Sequence, residues 1–321
     1  MKISNGFKIA MANRPLCYKM LFSRTIISII SVIVCLLFAS IVIKDIVNSE
    51  EFLAFFEFGR ELLKGFILID SFENVEVGSQ LSAHLHSLSD MLKGMLSEIV
   101  WVVVAIVLVI QVAKFFTGIC DYVIAVNINE HMSSLRHAEF FTTLVEHFSP
   151  ACRYALYCVM SLFLYNMLIV GISVVLFVVL IGKIGLFALT AVFLFIVCMD
   201  AFRLMLVGMV PAKMVCENTG VLKSFKDSFK GLSFKTMLER FISYFVLRLI
   251  VFSTSILFSI TTFYVSLLVT IPLYSITYMA VRFIDYYTVH HNKYFITYDN
   301  IVIPKEHRTK GEQLLNKVDI D

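Results

Sequence analysis

Charge is scarce in this 321-residue sequence: Asp, Glu, Lys and Arg together supply 16% of it, against 59% hydrophobic residues, and the mean hydropathy is +0.85. That balance excludes an ordinary soluble domain, in which about a quarter of residues are charged. Glycine (13) and proline (5) are also few, so long apolar runs go uninterrupted by turn signals. No HExxH, GxSxG, Walker-type loop or strand-linked GxGxxG occurs, and an enzyme is not expected. The seven cysteines, Cys17, Cys35, Cys120, Cys152, Cys158, Cys198 and Cys216, show no CxxC or CxxH spacing, and none lies between residues 44 and 98. A disulfide framework and a thiolate metal site are therefore not expected. His84 and His86 would point to different sides of a helix, so no metal ion or other cofactor is expected there either. No nucleic-acid partner is expected.

What is present is a series of runs that reach the roughly 20 apolar residues needed to cross a bilayer as helix, without the alternation of a barrel strand. The fold class expected is all-α: a polytopic helical membrane protein of about six spans arranged as three hairpins with interfacial amphipathic helices. The spans fall at about 25–43, 99–120, 154–181, 186–210, 241–268 and 272–284. GKIG at 182–185 closes one hairpin; TIP at 270–272 closes another, with Pro272 at a first helical position. Five bases precede the first span (Lys2, Lys8, Arg14, Lys19, Arg24), and six more lie from Lys213 to Arg240. Residues 44–98 carry four bases against ten acids. The positive-inside rule then puts both termini in the cytoplasm and 44–98 outside, in a bacterial inner membrane. The expected organisation is a lead-in 1–24, hairpins 25–126, 127–210 and 211–294, and a cytoplasmic tail 295–321.

Each hairpin is preceded by an amphipathic segment. In the third, Leu222, Phe225, Phe229 and Leu232 recur at helical spacing beside Lys223, Lys226 and Lys230; in the second, Phe140, Phe141, Leu144, Val145 and Phe148 do so. These stripes fit either headgroup-level helices with lysines toward anionic lipid or packing on the protein's own end. In the exported segment, two amphipathic helices flanking Gly78 would present an acidic, phenylalanine-rich surface to a protein partner.

Seven charges interrupt the spans near one level: Lys114 and Asp121, Asp200 and Arg203, Arg248, Arg282 and Asp285. Asp200 with Arg203, and Arg282 with Asp285, are three apart, so each pair is expected to meet on one helix face. Charge in hydrocarbon is costly, so the layer is either an interhelical clamp with snorkelling arginines, or a place where Arg203, Arg248 and Arg282 hold a lipid phosphate or line a polar path.

Pro211, Glu217, Gly220, Ser224, Ser228 and the Lys230-Gly231 turn, within Pro211 to Phe252, resemble the pattern of the YciC-like bacterial inner-membrane proteins and of the membrane domain attached to some glycerophosphodiester phosphodiesterases. The resemblance implies a polytopic inner-membrane protein of unsettled function, with no catalytic residues to carry over. The function expected is non-enzymatic envelope maintenance through membrane lipids or protein contacts; the alternative is a transporter or permease subunit with a polar path between hairpins.

Overall fold

A computed structural model describes residues 2–68, 74–136, 139–185, 187–229, 234–261, 267–297 and 300–303. The fold is all-α, closed by one short hairpin of strands. The helices are α1 (Lys2–Ala12), α2 (Arg14–Val47), α3 (Glu50–Leu68), α4 (Asn74–Gly94), α5 (Leu96–Ser134), α6 (Phe140–Glu146), α7 (Phe148–Ile184), α8 (Phe187–Val207), α9 (Val210–Cys216), α10 (Val221–Ser228), α11 (Phe234–Thr261) and α12 (Leu267–Val289). Antiparallel β1 (Tyr294–Thr297) and β2 (Asn300–Val302) follow.

Five helices among the described residues are long and apolar enough to cross a membrane: Arg14–Val47, Leu96–Ser134, Phe148–Lys183, Phe187–Cys216 and Phe234–Phe258. In their most apolar windows the share buried by protein is 6% in α2, 0% in α5, 11% in α7 and α11, and 33% in the run through α8 and α9. Surfaces so apolar and so bare are covered by lipid in a stable protein, because water would not tolerate a contiguous patch of that size. These lengths match the first five spans read from the sequence.

The sixth differs. α12 is not one of the five, and protein encloses its middle part: Ile276, Met279, Ala280, Val281, Phe283, Ile284 and Asp285 are all buried. A helix with protein around it has no need of a lipid-soluble surface, which is why Thr277, Arg282 and Asp285 are tolerated in it. Pro272 lies inside α12 and not at its start. The expected turn at 270–272 is therefore helix, and residues 262–266, between α11 and α12, lie outside the described residues.

Two compact units divide the chain: Met1–Ile26 with Lys114–Asp321, and Ile27–Ala113. In the smaller unit α3 packs on α4, with the Phe58 and His84 rings 5.0 Å apart. The exposed pair Lys93 and Asp90 closes at 2.7 Å, and that hydrogen bond holds the Asp90 carboxyl below its usual range. Gly78 does not separate these helices. It sits within α4, where a glycine costs only about 1 kcal/mol, and residues 69–73, between α3 and α4, lie outside the described residues.

In the larger unit α7 and α8 form a hairpin, closed where Gly185 takes φ 56°, and α8 packs along α11. α5 crosses α7 so closely that a Cβ on Gly118 would stand 2.9 Å from the Cα of Ala155. α1 lies on α12, its Gly6 pressed against Val281 and its Ile9 and Ala10 fully enclosed. Lys2 Nζ reaches Asp285 Oδ1 at 2.6 Å, and Asn5 Nδ2 donates to the Tyr294 hydroxyl at 3.4 Å. Burial pushes the Tyr294 phenol up, the Asn5 bond opposing it. The first lead-in is thus a protein-packed helix.

The other lead-ins behave differently. α10 buries Ser224 and Ser228, leaves Phe225 half-buried, and exposes Leu222, Lys223, Lys226 and Phe229. The sequence pattern pointed the leucine and phenylalanine stripe at the apolar partner, whereas small serines make the closest approach to protein. Ser224 Oγ bonds Thr219 Oγ1 at 2.7 Å and the Gly220 carbonyl at 3.1 Å, so these hydroxyls are satisfied locally. Phe141, Val145 and Phe148 are likewise exposed beside buried Phe140. Lys230 and Leu232, and the tail from 304, lie outside the described residues.

Candidate functional site

The charge layer converges on a cavity of about 610 Å³ inside the larger unit, among α2, α5, α7, α8, α11 and α12. Five cations line it: Arg24, Lys114, Arg203, Arg248 and Arg282. Tyr154, Tyr165, Tyr274 and Tyr278 stand among them, with apolar walls at Leu162, Val251, Phe252 and Ile271.

The local spacing of α8 sets the first pair. Asp200 and Arg203 lie on one helix face, and their carboxylate and guanidinium meet as the sequence spacing requires. α8 also packs on α11, which brings Arg248 to the second oxygen of the same carboxylate. Asp200 therefore serves two arginines. Their planes are further held by rings: Arg248 lies 4.6 Å from the Tyr278 centroid, and Arg203 lies 5.6 Å from that of Tyr165. Tyr165 in turn donates to the Met199 carbonyl.

Asp121 on α5 pairs with Arg24 on α2, whose other amino group donates to Ser275 Oγ on α12 at 2.7 Å. Sequence reasoning counted Arg24 only among the N-terminal bases. Its one available signal was its place one turn before an apolar run, at the level where Asp121 would need a cation.

Arg282 and Asp285 do not meet. Three residues along a helix are turned about 60° apart, so the spacing permits a contact without compelling it, and here the two side chains have different surroundings. Arg282 goes to the cavity, while Asp285, 0% exposed, takes Lys2 Nζ and the Tyr244 hydroxyl, the latter at 2.9 Å. The expected pair fails because Asp285 is taken by Lys2 and Tyr244 from neighbouring helices. Five of the seven residues read from the sequence thus line one cavity, Asp200 pairs with two of its arginines, and Asp285 instead fastens α1.

Three of the five cations are matched by carboxylates. Lys114 and Arg282 have no carboxylate within ion-pair reach among the described residues. Nε of Arg282 and the hydroxyls of Tyr157 and Tyr278 are buried without hydrogen-bond partners. Five positive charges against Asp121 and Asp200 leave a surplus of three. Such a site attracts an anion, and the arginine forks match the oxygens of a phosphate or carboxylate.

Lys223 and Lys226 lie away from the cavity on exposed α10. The residues that carried the family resemblance build the turn beneath it. Pro211 lies in the first turn of α9 and lines the cavity, Glu217 accepts from the Tyr286 hydroxyl at 3.2 Å, and Gly220 precedes α10. Among the described residues no three His, Cys, Asp or Glu side chains are grouped to hold a metal ion. No family model matches this chain, and no curated protein or solved structure does so either.

Proposed function

We propose that this is a non-enzymatic integral membrane protein whose cavity holds the anionic headgroup of a phospholipid, and that it serves envelope maintenance by that binding. The observation that carries the reading is the surplus of three positive charges around one cavity, with Lys114 and Arg282 left unmatched. Cations enclosed by apolar helices are costly when alone, so an occupant that neutralises them stabilises the fold it enters. A lipid fits better than a solute because the surrounding helices present bare apolar surface to hydrocarbon.

The asymmetry of basic residues supports an orientation with both termini in the cytoplasm of a bacterial cell, which sets the cavity in the inner leaflet. The exposed Lys223 and Lys226 would then meet anionic headgroups, and the acidic 44–98 segment would be free for a protein partner outside. The likeness of Pro211–Phe252 to the YciC-like proteins belongs to this reading as a proposal. A transport path is the weaker alternative: it needs polar groups on both sides of the charge layer, and the distal half of α7, VGISVVLFVVLIG, offers few.

Native mass spectrometry of detergent-purified protein tests the reading. Wild type retains phospholipid, and a still-folded Arg203→Gln, Arg248→Gln, Arg282→Gln variant loses it. Equal lipid retention by both proteins would refute it.

A further inference from the structure

The charge arrangement specifies more than the sign of the occupant. The Arg24 and Asp121 pair is internally neutral, and Asp200 cancels one of the two charges on Arg203 and Arg248. What remains is one charge shared by those arginines, one on Lys114 and one on Arg282. Asp285 does not reduce this surplus, because it is fully enclosed and its charge is balanced by Lys2. The tyrosines lining the cavity can donate hydrogen bonds but bring no positive charge, and Tyr278 has a buried hydroxyl without a partner.

A phosphodiester headgroup carries a single negative charge and would leave most of that surplus unneutralised among apolar helices. A phosphomonoester carries about −1.5 to −2 near neutral pH and has three terminal oxygens to accept from guanidinium and ammonium donors. We propose that the cavity selects a phosphomonoester over a phosphodiester. The inference rests on the anionic-headgroup reading and narrows it to one chemical class. The same group occurs on membrane lipids and on water-soluble phosphates, and the lipid is the source the apolar walls at Leu162, Val251, Phe252 and Ile271 favour, since these extend the site beyond the charges.

Purified full-length protein is titrated with dioleoyl phosphatidic acid, dioleoyl phosphatidylglycerol and inorganic phosphate, with binding followed by native mass spectrometry at pH 7.5 and pH 5. At pH 7.5 phosphatidic acid binds about tenfold more tightly than phosphatidylglycerol, one decade in Kd. At pH 5, below the second phosphate pKa of about 6, most of that preference is gone. Lys114→Gln, and separately Arg282→Lys, which keeps the charge and loses the fork, reduce the preference more than they reduce phosphatidylglycerol binding.

Equal affinity for the two lipids at both pH values overturns the phosphomonoester inference. In that case the anionic-headgroup reading survives if Arg282→Gln still weakens both lipids, and falls with it if neither lipid responds. Inorganic phosphate binding as tightly as phosphatidic acid would keep the phosphomonoester and overturn the lipid as its source. Should the substituted proteins fail to fold, the comparison of lipids and pH on wild type alone decides.

Discussion

Asp200 is the residue on which the charge layer turns. One carboxylate, only 18% exposed, pairs with arginines from two helices, so its loss leaves two guanidinium groups in an apolar surround without their carboxylate. Asp200→Asn keeps the shape and removes the charge. It is expected to lower stability by on the order of 3 kcal/mol, the usual scale for breaking an enclosed pair from one side. Thermal unfolding in detergent measures this, and added anionic lipid is expected to restore part of the loss by supplying the missing charge. A variant as stable as wild type would mean the arginines reach water. Asp200 and Arg203 were legible in the sequence because their contact is local to one helix turn, although the same spacing in Arg282 and Asp285 makes none. Arg24 with Asp121, and Lys2 with Asp285, were not: each joins residues far apart in the chain, and nothing local distinguishes a pairing cation from the other N-terminal bases.

At the scale of elements, the apolar spans could be read from length and composition, because lipid imposes the same requirement on every helix it surrounds. α12 escaped that logic. Its surroundings are protein, so its composition is set by neighbours that the local sequence does not reveal. The same limit left the reading of α10 open between lipid and protein as the partner of its large-residue stripe; Leu222 and Phe229 are exposed, and the small residues Ser224 and Ser228 make the packed face. α1 is the lead-in for which packing on protein is the outcome, a helix fastened to α12 by Gly6 and Lys2. Removing the cation in Lys2→Met leaves Asp285 with the Tyr244 hydroxyl alone. The docking of α1 is expected to weaken by on the order of 3 kcal/mol, since an enclosed carboxylate then has no counter-charge. Hydrogen exchange reports it directly, as faster exchange of α1 amides with α7 and α8 unchanged; unaltered α1 exchange would assign its hold to Ile9 and Ala10 packing instead.

For the whole molecule, two features define behaviour: apolar helices with almost no protein cover, and basic residues concentrated away from segment 44–98. Together they predict a topology in which α3 and α4 lie outside the cytoplasm. Gly59 on α3 has no atom within 4 Å of where a Cβ would stand, so a cysteine there is accommodated without strain. Gly59→Cys is expected to react with a membrane-impermeant maleimide in intact spheroplasts, whereas Lys223→Cys on α10 reacts only after lysis. The wild-type protein, which has no cysteine in 44–98, gives the background. Reversed labelling would invert the orientation and move the cavity to the outer leaflet.

The most direct test of the cavity as a phosphate site is an experimental map of the protein in nanodiscs containing phosphatidic acid. A phosphate-binding cavity predicts tetrahedral density within hydrogen-bond distance of Arg282 and of at least one of Lys114, Arg203 and Arg248, continuous with acyl density along the apolar wall. A cavity filled only by water, with Lys114 and Arg282 each turned onto a carboxylate, would contradict it.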